Sequence, residues 1–439
     1  MRKDTPINSD VVKEKIKSNR IGNVGKASIR EIKKLVDDVE KETGEKYIRM
    51  EMGIPGLPAP QMGIDAEIDA LQNGVASIYS DIQGIPSLKQ EISRFAKNFM
   101  NIDVKPESCL PTVGSMQGGF AAFLTTTRMQ KGKDTVLFID PGFPVQKMQC
   151  QVLGIPYDRF DVYNFRGDKL REKLEEHLSK GNISSIIYSN PNNPSWICFT
   201  PKELKIIAEL ADKYNVVVIE DLAYFAMDFR KDMSVPGEPP YQDTVAHYTD
   251  NYILLISSSK AFNYAGQRLA MFIISDKLYN AQYPDLKRYY ASDYFGHSMV
   301  FGTIYPLSAG TSHSPQYAVA AILKAVNDGE YNFVEIAREY GEKAKIMKKI
   351  FTDNGFRIVY DKDEDQPIAD GFYFTISYPG FEGHELIEEL IYYGISAISL
   401  DITGSDRSEG LRACVSLVQR EQFPDLEYRV KKFHEHHKS

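Results

Sequence analysis

The chain has 439 residues, 43% hydrophobic and 26% charged, enough for a large domain and a smaller one. A net charge of −8 argues against nucleic acid as the main partner. No run of about 18 apolar residues offers a membrane span, and the opening Met1-Arg2-Lys3-Asp4-Thr5-Pro6 lacks the apolar core of a secretion signal, so a soluble intracellular protein is expected.

Residues 9–45, with Val12, Ile16, Ile21, Ile29, Ile32, Leu35, Val36 and Val39, read as amphipathic helix. From 62 to 310, short apolar strands at 135–139, 184–188, 216–220, 252–257 and 270–274 alternate with helical stretches such as 201–214. That alternation predicts an α/β fold, a mainly parallel sheet with helices on both faces. Beyond Gln316 a long helical pattern runs to about Phe351, followed by strand candidates at 356–360 and 371–377, a helix at 383–392 and strands at 394–399 and 411–416. This part reads as a small α+β domain. Cys109, Cys150, Cys198 and Cys414 lack CxxC spacing and read as buried thiols, while His434, His436 and His437 read as a solvated helix end; no metal site is expected.

Chemistry concentrates in three segments. Ser257-Ser258-Ser259-Lys260 follows an apolar strand, with Arg268 eight residues past the lysine. A lysine there can form a Schiff base with an aldehyde, while the serines and the arginine supply donors and positive charge for a phosphate, as a pyridoxal phosphate site requires. Val216-Val217-Val218-Ile219 reads as a strand buried on both faces, with Asp221 and Tyr224 at its carboxyl end, where open α/β sheets bind ligands. Ile186-Ile187-Tyr188-Ser189 runs into the turn Asn190-Pro191-Asn192-Asn193-Pro194 in the same way.

In order and spacing these segments resemble the class I and II aminotransferases, the aspartate aminotransferase superfamily of fold-type I pyridoxal phosphate enzymes. The resemblance extends to Gly53-Ile54-Pro55-Gly56, to Tyr79 with Gly84 and Leu88, to Pro111-Thr112-Val113-Gly114-Ser115-Met116, to Asp140-Pro141-Gly142-Phe143-Pro144 and to Gly410-Leu411-Arg412. It implies a large cofactor-binding domain at 56–315 and a small domain from 1–55 and 316–439.

The resemblance also implies roles. Lys260 would carry the cofactor and then act as the base at the substrate α-carbon. Asp221 would keep the pyridine nitrogen protonated, and Tyr224 and Asn193 would donate to the phenolic oxygen. Ser115, Met116, Ser257 and Arg268 would hold the phosphate, and Phe143 would stack on the ring. Arg412 would grip the substrate α-carboxylate, with Gly53 and Asn193 beside the substrate. Tyr79 would reach the phosphate of a neighbouring subunit, which implies a homodimer with shared active sites.

The implied reaction moves an amino group from an L-amino acid to a 2-oxo acid in two half reactions. β-Eliminating C–S lyases and amino-acid decarboxylases share the fold and remain alternatives. About 50 residues precede Gly53, too few for the DNA-binding domain of a regulator of this fold, and they show no helix-turn-helix with a basic face. Where the family's turn continues with threonine and glycine, this chain has Ser195-Trp196, and its one tryptophan either shapes the substrate pocket or packs beneath the loop. An aromatic stretch at 288–297 leaves side-chain specificity open.

Overall fold

The structure is a computed structural model describing residues 4–438; Met1, Arg2, Lys3 and Ser439 lie outside the described residues. The chain forms two compact units. The larger holds Leu57–Asn192 and Cys198–Ala337; the smaller holds the described residues up to Gly56, Asn193–Ile197 and those from Arg338 on.

In the larger unit seven strands form one sheet: β1 (Cys109–Val113), β2 (Thr135–Asp140), β3 (Tyr157–Asp161), β4 (Ile183–Ser189), β5 (Val217–Asp221), β6 (Tyr252–Ser257) and β7 (Leu269–Ile274). Their order is β1-β7-β6-β5-β4-β2-β3, and only β7 runs against the rest. Every residue of β2, β4, β5, β6 and β7 is buried, as a sheet covered on both faces requires. The apolar runs stop at the carboxyl edge, where β2, β4, β5 and β6 end in Asp140, Ser189, Asp221 and Ser257. Helix Pro201–Tyr214 begins where Thr200 and Glu203 form a capping box with Pro201 in the first turn, and it ends at Asn215 in the left-handed conformation.

The smaller unit is built on a four-stranded antiparallel sheet of β8 (Arg357–Ile358), β9 (Tyr373–Ser377), β10 (Ile398–Ser399) and β11 (Leu411–Cys414), in the order β10-β11-β9-β8. Helices Ser9–Ser18, Ile29–Thr43, Gly383–Tyr392 and Phe423–His437 belong to it.

Three local expectations change. Residues 9–45 form two helices rather than one, because the chain turns at 19–28 and Ser28 with Glu31 starts a second helix through a capping box. The pattern beyond Gln316 likewise divides into His313–Asn327 and Phe333–Asp353, with Gly329 at φ +75° between them. The terminal histidines are not simply solvated: His434 Nδ1 lies 2.9 Å from the Tyr378 hydroxyl and His436 Nδ1 lies 2.8 Å from that of Tyr393. Both tyrosines are buried, and their hydroxyls need partners.

Candidate active site

In the larger unit the expected residues gather at the carboxyl edge of the sheet and at the start of helix Gly114–Thr126. Ser257 ends β6, and its hydroxyl accepts from the Ser259 amide at 3.1 Å, starting the short helix Ser258–Ala261 that carries half-buried Lys260. The chain then returns through Arg268, at φ +53°, whose carbonyl accepts from the Gly114 amide at 2.9 Å. Gly114 is itself at φ +63°, and a Cβ there would lie 2.4 Å from Arg268 Nη2. Only glycine lets the guanidinium lie over the first turn of that helix.

That first turn is an anion site in waiting. Helix Gly114–Thr126 has no side-chain cap at Val113. The Ser115 hydroxyl is buried without a protein partner, and Arg268 donates only to the Ala265 carbonyl at 2.9 Å and to Ser259 Oγ at 3.5 Å, with no carboxylate beside it among the described residues. Free amides, a free hydroxyl and an unneutralised guanidinium are what a phosphate needs. Met116 contributes backbone only, its carbonyl accepting from Gln149 Nε2 at 2.8 Å.

Asp221 is the electrostatic centre of the edge. Its carboxylate is buried and accepts from the Ala223 amide at 3.1 Å and from Gln146 Nε2 at 2.9 Å. Burial pushes its pKa up to about 6 against the pull of those two donors. Both donors are neutral, so the carboxylate can accept a buried cationic group such as a protonated ring nitrogen. Gln146 was not singled out in the sequence; the available signal was its place one helical turn after Phe143, on the helix Pro144–Leu153 that Phe143 caps. Asn192 Nδ2 holds the loop before Phe143 by donating to the Pro141 carbonyl at 2.8 Å. Tyr224 is buried in the turn after β5, and Tyr79 stands almost free of the chain at 95% exposure.

In the smaller unit Arg412 lies on β11 at 1% exposure. Its Nη2 donates to the Glu51 carbonyl at 2.6 Å and its Nη1 to Asn193 Oδ1 at 3.4 Å, while Nε is buried without a protein partner. Among the described residues it forms no ion pair. Gly53 lies beside Tyr373, whose hydroxyl would be 2.0 Å from a Cβ at that position. Trp196 is fully buried and packs against Gly371, so of its two expected roles the smaller unit shows packing. Arg288, in the aromatic stretch, is tied to its own turn, its Nε donating to the Asp285 carbonyl at 3.0 Å.

The family profile described as "Aminotransferase class I and II" matches residues 45–425. The chain belongs to the class I and II aminotransferases. Among similar proteins, a probable aspartate aminotransferase of Methanocaldococcus jannaschii is 28% identical over 266 residues, which is 60% of this chain and 64% of that protein. The glutamate-pyruvate aminotransferase AlaC of Escherichia coli is 26% identical over 332 residues, 73% of this chain and 71% of its own. The chain thus spans somewhat less than two thirds of the first relative's length and more of the second's. An alanine aminotransferase from Pyrococcus furiosus has the same fold, with a TM-score of 0.74 at 20% identity over 95% of this chain and 99% of that one.

Members of this family work with pyridoxal phosphate, and the larger unit fits it. The orphaned Ser115 hydroxyl, the uncapped helix and Arg268 suit its phosphate, and the buried carboxyl of Asp221 suits its ring nitrogen.

Proposed function

We propose that this aminotransferase moves an amino group from an L-amino acid to a 2-oxo acid, with Lys260 and Asp221 as its catalytic residues and Tyr224 tuning the cofactor. The observation that carries this reading is a buried carboxyl with two neutral donors on the same sheet edge as the lysine, at Asp221 and Lys260. When bound, pyridoxal phosphate supplies the ring that draws electrons from a broken bond at the substrate α-carbon. Lys260 Nζ moves the proton at that carbon. Asp221 holds the negative charge that keeps the ring nitrogen protonated, and Ser115, Met116, Ser257 and Arg268 fix the phosphate. Phe143 supplies a stacking face. Arg412 anchors the substrate carboxylate, its unpartnered Nε leaving a donor for it, with Gly53 and Asn193 nearby in the same unit.

Holoenzyme incubated with a panel of L-amino acids and no oxo acid should stop after one equivalent of product and restart when 2-oxoglutarate or pyruvate is added. Continuous release of ammonia or carbon dioxide without an acceptor would identify a lyase or a decarboxylase instead.

The working unit in this reading is a cytoplasmic homodimer with shared sites. Cys109, Cys150, Cys198 and Cys414 are not disulfide-bonded, which suits a reducing compartment. Tyr79 and its chain neighbour Ile78 are exposed, as are Ile68 and Leu71 on the preceding helix, and exposed apolar side chains suit contact with a second copy of the chain. If Tyr79 serves the neighbour's phosphate, Tyr79→Ala and Lys260→Ala fall on the same site of a mixed dimer and leave the other site intact. Subunit exchange between the two variants should then restore roughly a quarter of wild-type activity, since about half the dimers are mixed and each has one intact site. Activity that stays at the average of the two parents would rule out sharing.

A further inference from the structure

Arg412 is an unusual cation for its degree of burial. A guanidinium at 1% exposure carries a heavy desolvation cost, ordinarily met by a carboxylate, yet Arg412 has no ion-pair partner among the described residues. What it has is a ring: its Cζ lies 4.5 Å from the centroid of Tyr373, within the range of a cation–π contact. A π face lowers the cost of the buried charge without neutralising it. The positive charge therefore stays available to an incoming anion.

The ring is itself braced. Trp196 meets Tyr373 edge-on, with centroids 6.2 Å apart and planes at 68°. The indole fills the space that a side chain at Gly371 would need, since a Cβ there would lie 2.0 Å from Trp196 Cε2. Trp196 adopts φ +65°, a conformation unfavourable to a side chain this large and held in place by close packing. On its far side the Tyr373 hydroxyl occupies the space left by Gly53. The loop that carries Trp196 also carries Asn193, to which Arg412 donates at 3.4 Å, so the contacts close a ring from Asn193 through Arg412, Tyr373 and Trp196 back along the chain.

We infer that Tyr373, braced by Trp196, is the positioning residue for Arg412: it presents the guanidinium to the substrate carboxylate in place of a counter-ion that would compete for it. This rests on Arg412 as the carboxylate anchor. It also gives Ser195-Trp196, where this chain departs from the family's threonine and glycine, a task.

The test uses holoenzyme and the best L-amino acid of the panel, its 2-oxo acid, and the corresponding primary amine lacking the α-carboxylate. Single-turnover titrations give the dissociation constant of each. Tyr373→Met, which keeps most of the volume and removes the ring, should weaken amino acid and oxo acid in parallel by roughly 5- to 30-fold. Cofactor affinity and amine binding should not move, and Tyr373→Phe should restore tight carboxylate binding. Trp196→Phe, a milder disturbance, should weaken the same two ligands by a smaller factor, and it decides the matter if Tyr373→Met does not fold. Unchanged carboxylate binding in a folded Tyr373→Met protein, or an equal loss for the amine, overturns the inference. Arg412→Ala separates the two levels: if it leaves carboxylate binding intact, the anchor reading itself fails, whereas if it weakens binding and Tyr373→Met does not, only the positioning role is lost.

Discussion

Replacing Lys260 by alanine should abolish the visible absorbance of the holoenzyme and reduce turnover by about 10³-fold or more, since it removes both the covalent attachment and the base at the α-carbon. The chain contains other lysines with lowered pKa values. Burial lowers the pKa values of Lys89, Lys147 and Lys343, which by that measure alone would compete for an aldehyde. Their surroundings decide against them. Lys147 Nζ is held by both oxygens of Asp140 at 2.5 and 2.6 Å, and Lys343 Nζ donates to the Ser416 carbonyl at 2.9 Å. Lys89, on helix Pro86–Met100, reaches only Gln83 and the Glu107 carbonyl, just before the amino end of β1 rather than at the carboxyl edge. Lys260 stands where β6 ends, between Ser257 and Arg268. Borohydride reduction of the holoenzyme followed by peptide mapping should mark Lys260; a label on Lys89, Lys147 or Lys343 would show the assignment to be wrong.

Asp221→Asn should separate activity from stability. The variant should lose several orders of magnitude in proton abstraction while gaining stability as cofactor-free protein. The folded pKa of Asp221 is raised to about 6 from the ordinary 3.8. A carboxyl with a raised pKa holds its proton in the folded state after the unfolded chain has released it. Its stabilising contribution is therefore complete below about pH 4 and is lost as pH rises towards 6. At 1.36 kcal/mol per pKa unit, the folded apoprotein above pH 6 carries a penalty on the order of 3 kcal/mol that asparagine does not. Melting temperatures of apo Asp221→Asn and apo wild type should coincide near pH 4 and separate between pH 4 and 6, with the variant higher. Saturating cofactor should reverse the order at neutral pH, because only the aspartate pairs with a ring cation. A variant less stable than wild type at pH 8 without cofactor would mean that Asp221 is already neutralised by the protein.

Much of this molecule was written locally. Val217-Val218-Ile219 and Leu254-Leu255-Ile256 had to be interior strands because neither face carries a polar residue, and the polar residues that close them, Asp221 and Ser257, had to fall at the carboxyl edge. Helix Pro201–Tyr214 was legible because its start and stop signals are side chains within four residues of its ends. Lys260 and Arg268 were legible for a similar reason: one short segment holds both. The break at 19–28 is marked by Asn19, Gly22, Asn23 and Gly25 and was missed because the apolar residues on its two sides read as one pattern, as do those on either side of Gly329.

The tertiary structure alone decided which distant groups complete these segments. Gln146 is 75 residues from the carboxylate it holds, and Tyr373 is 39 residues from the guanidinium it supports, on the neighbouring strand β9. Neither residue type announces its partner, since a glutamine amide serves any acceptor and a phenol ring packs in any core. Strand register and the spaces left by Gly371 and Gly53 bring Tyr373 under Arg412, and the helix begun by Phe143 turns Gln146 towards Asp221. The sequence thus determined which groups carry the chemistry, because reactive types at strand ends are a local pattern. Their charge state and aim depend on burial and through-space contact, which exist only once the chain has folded.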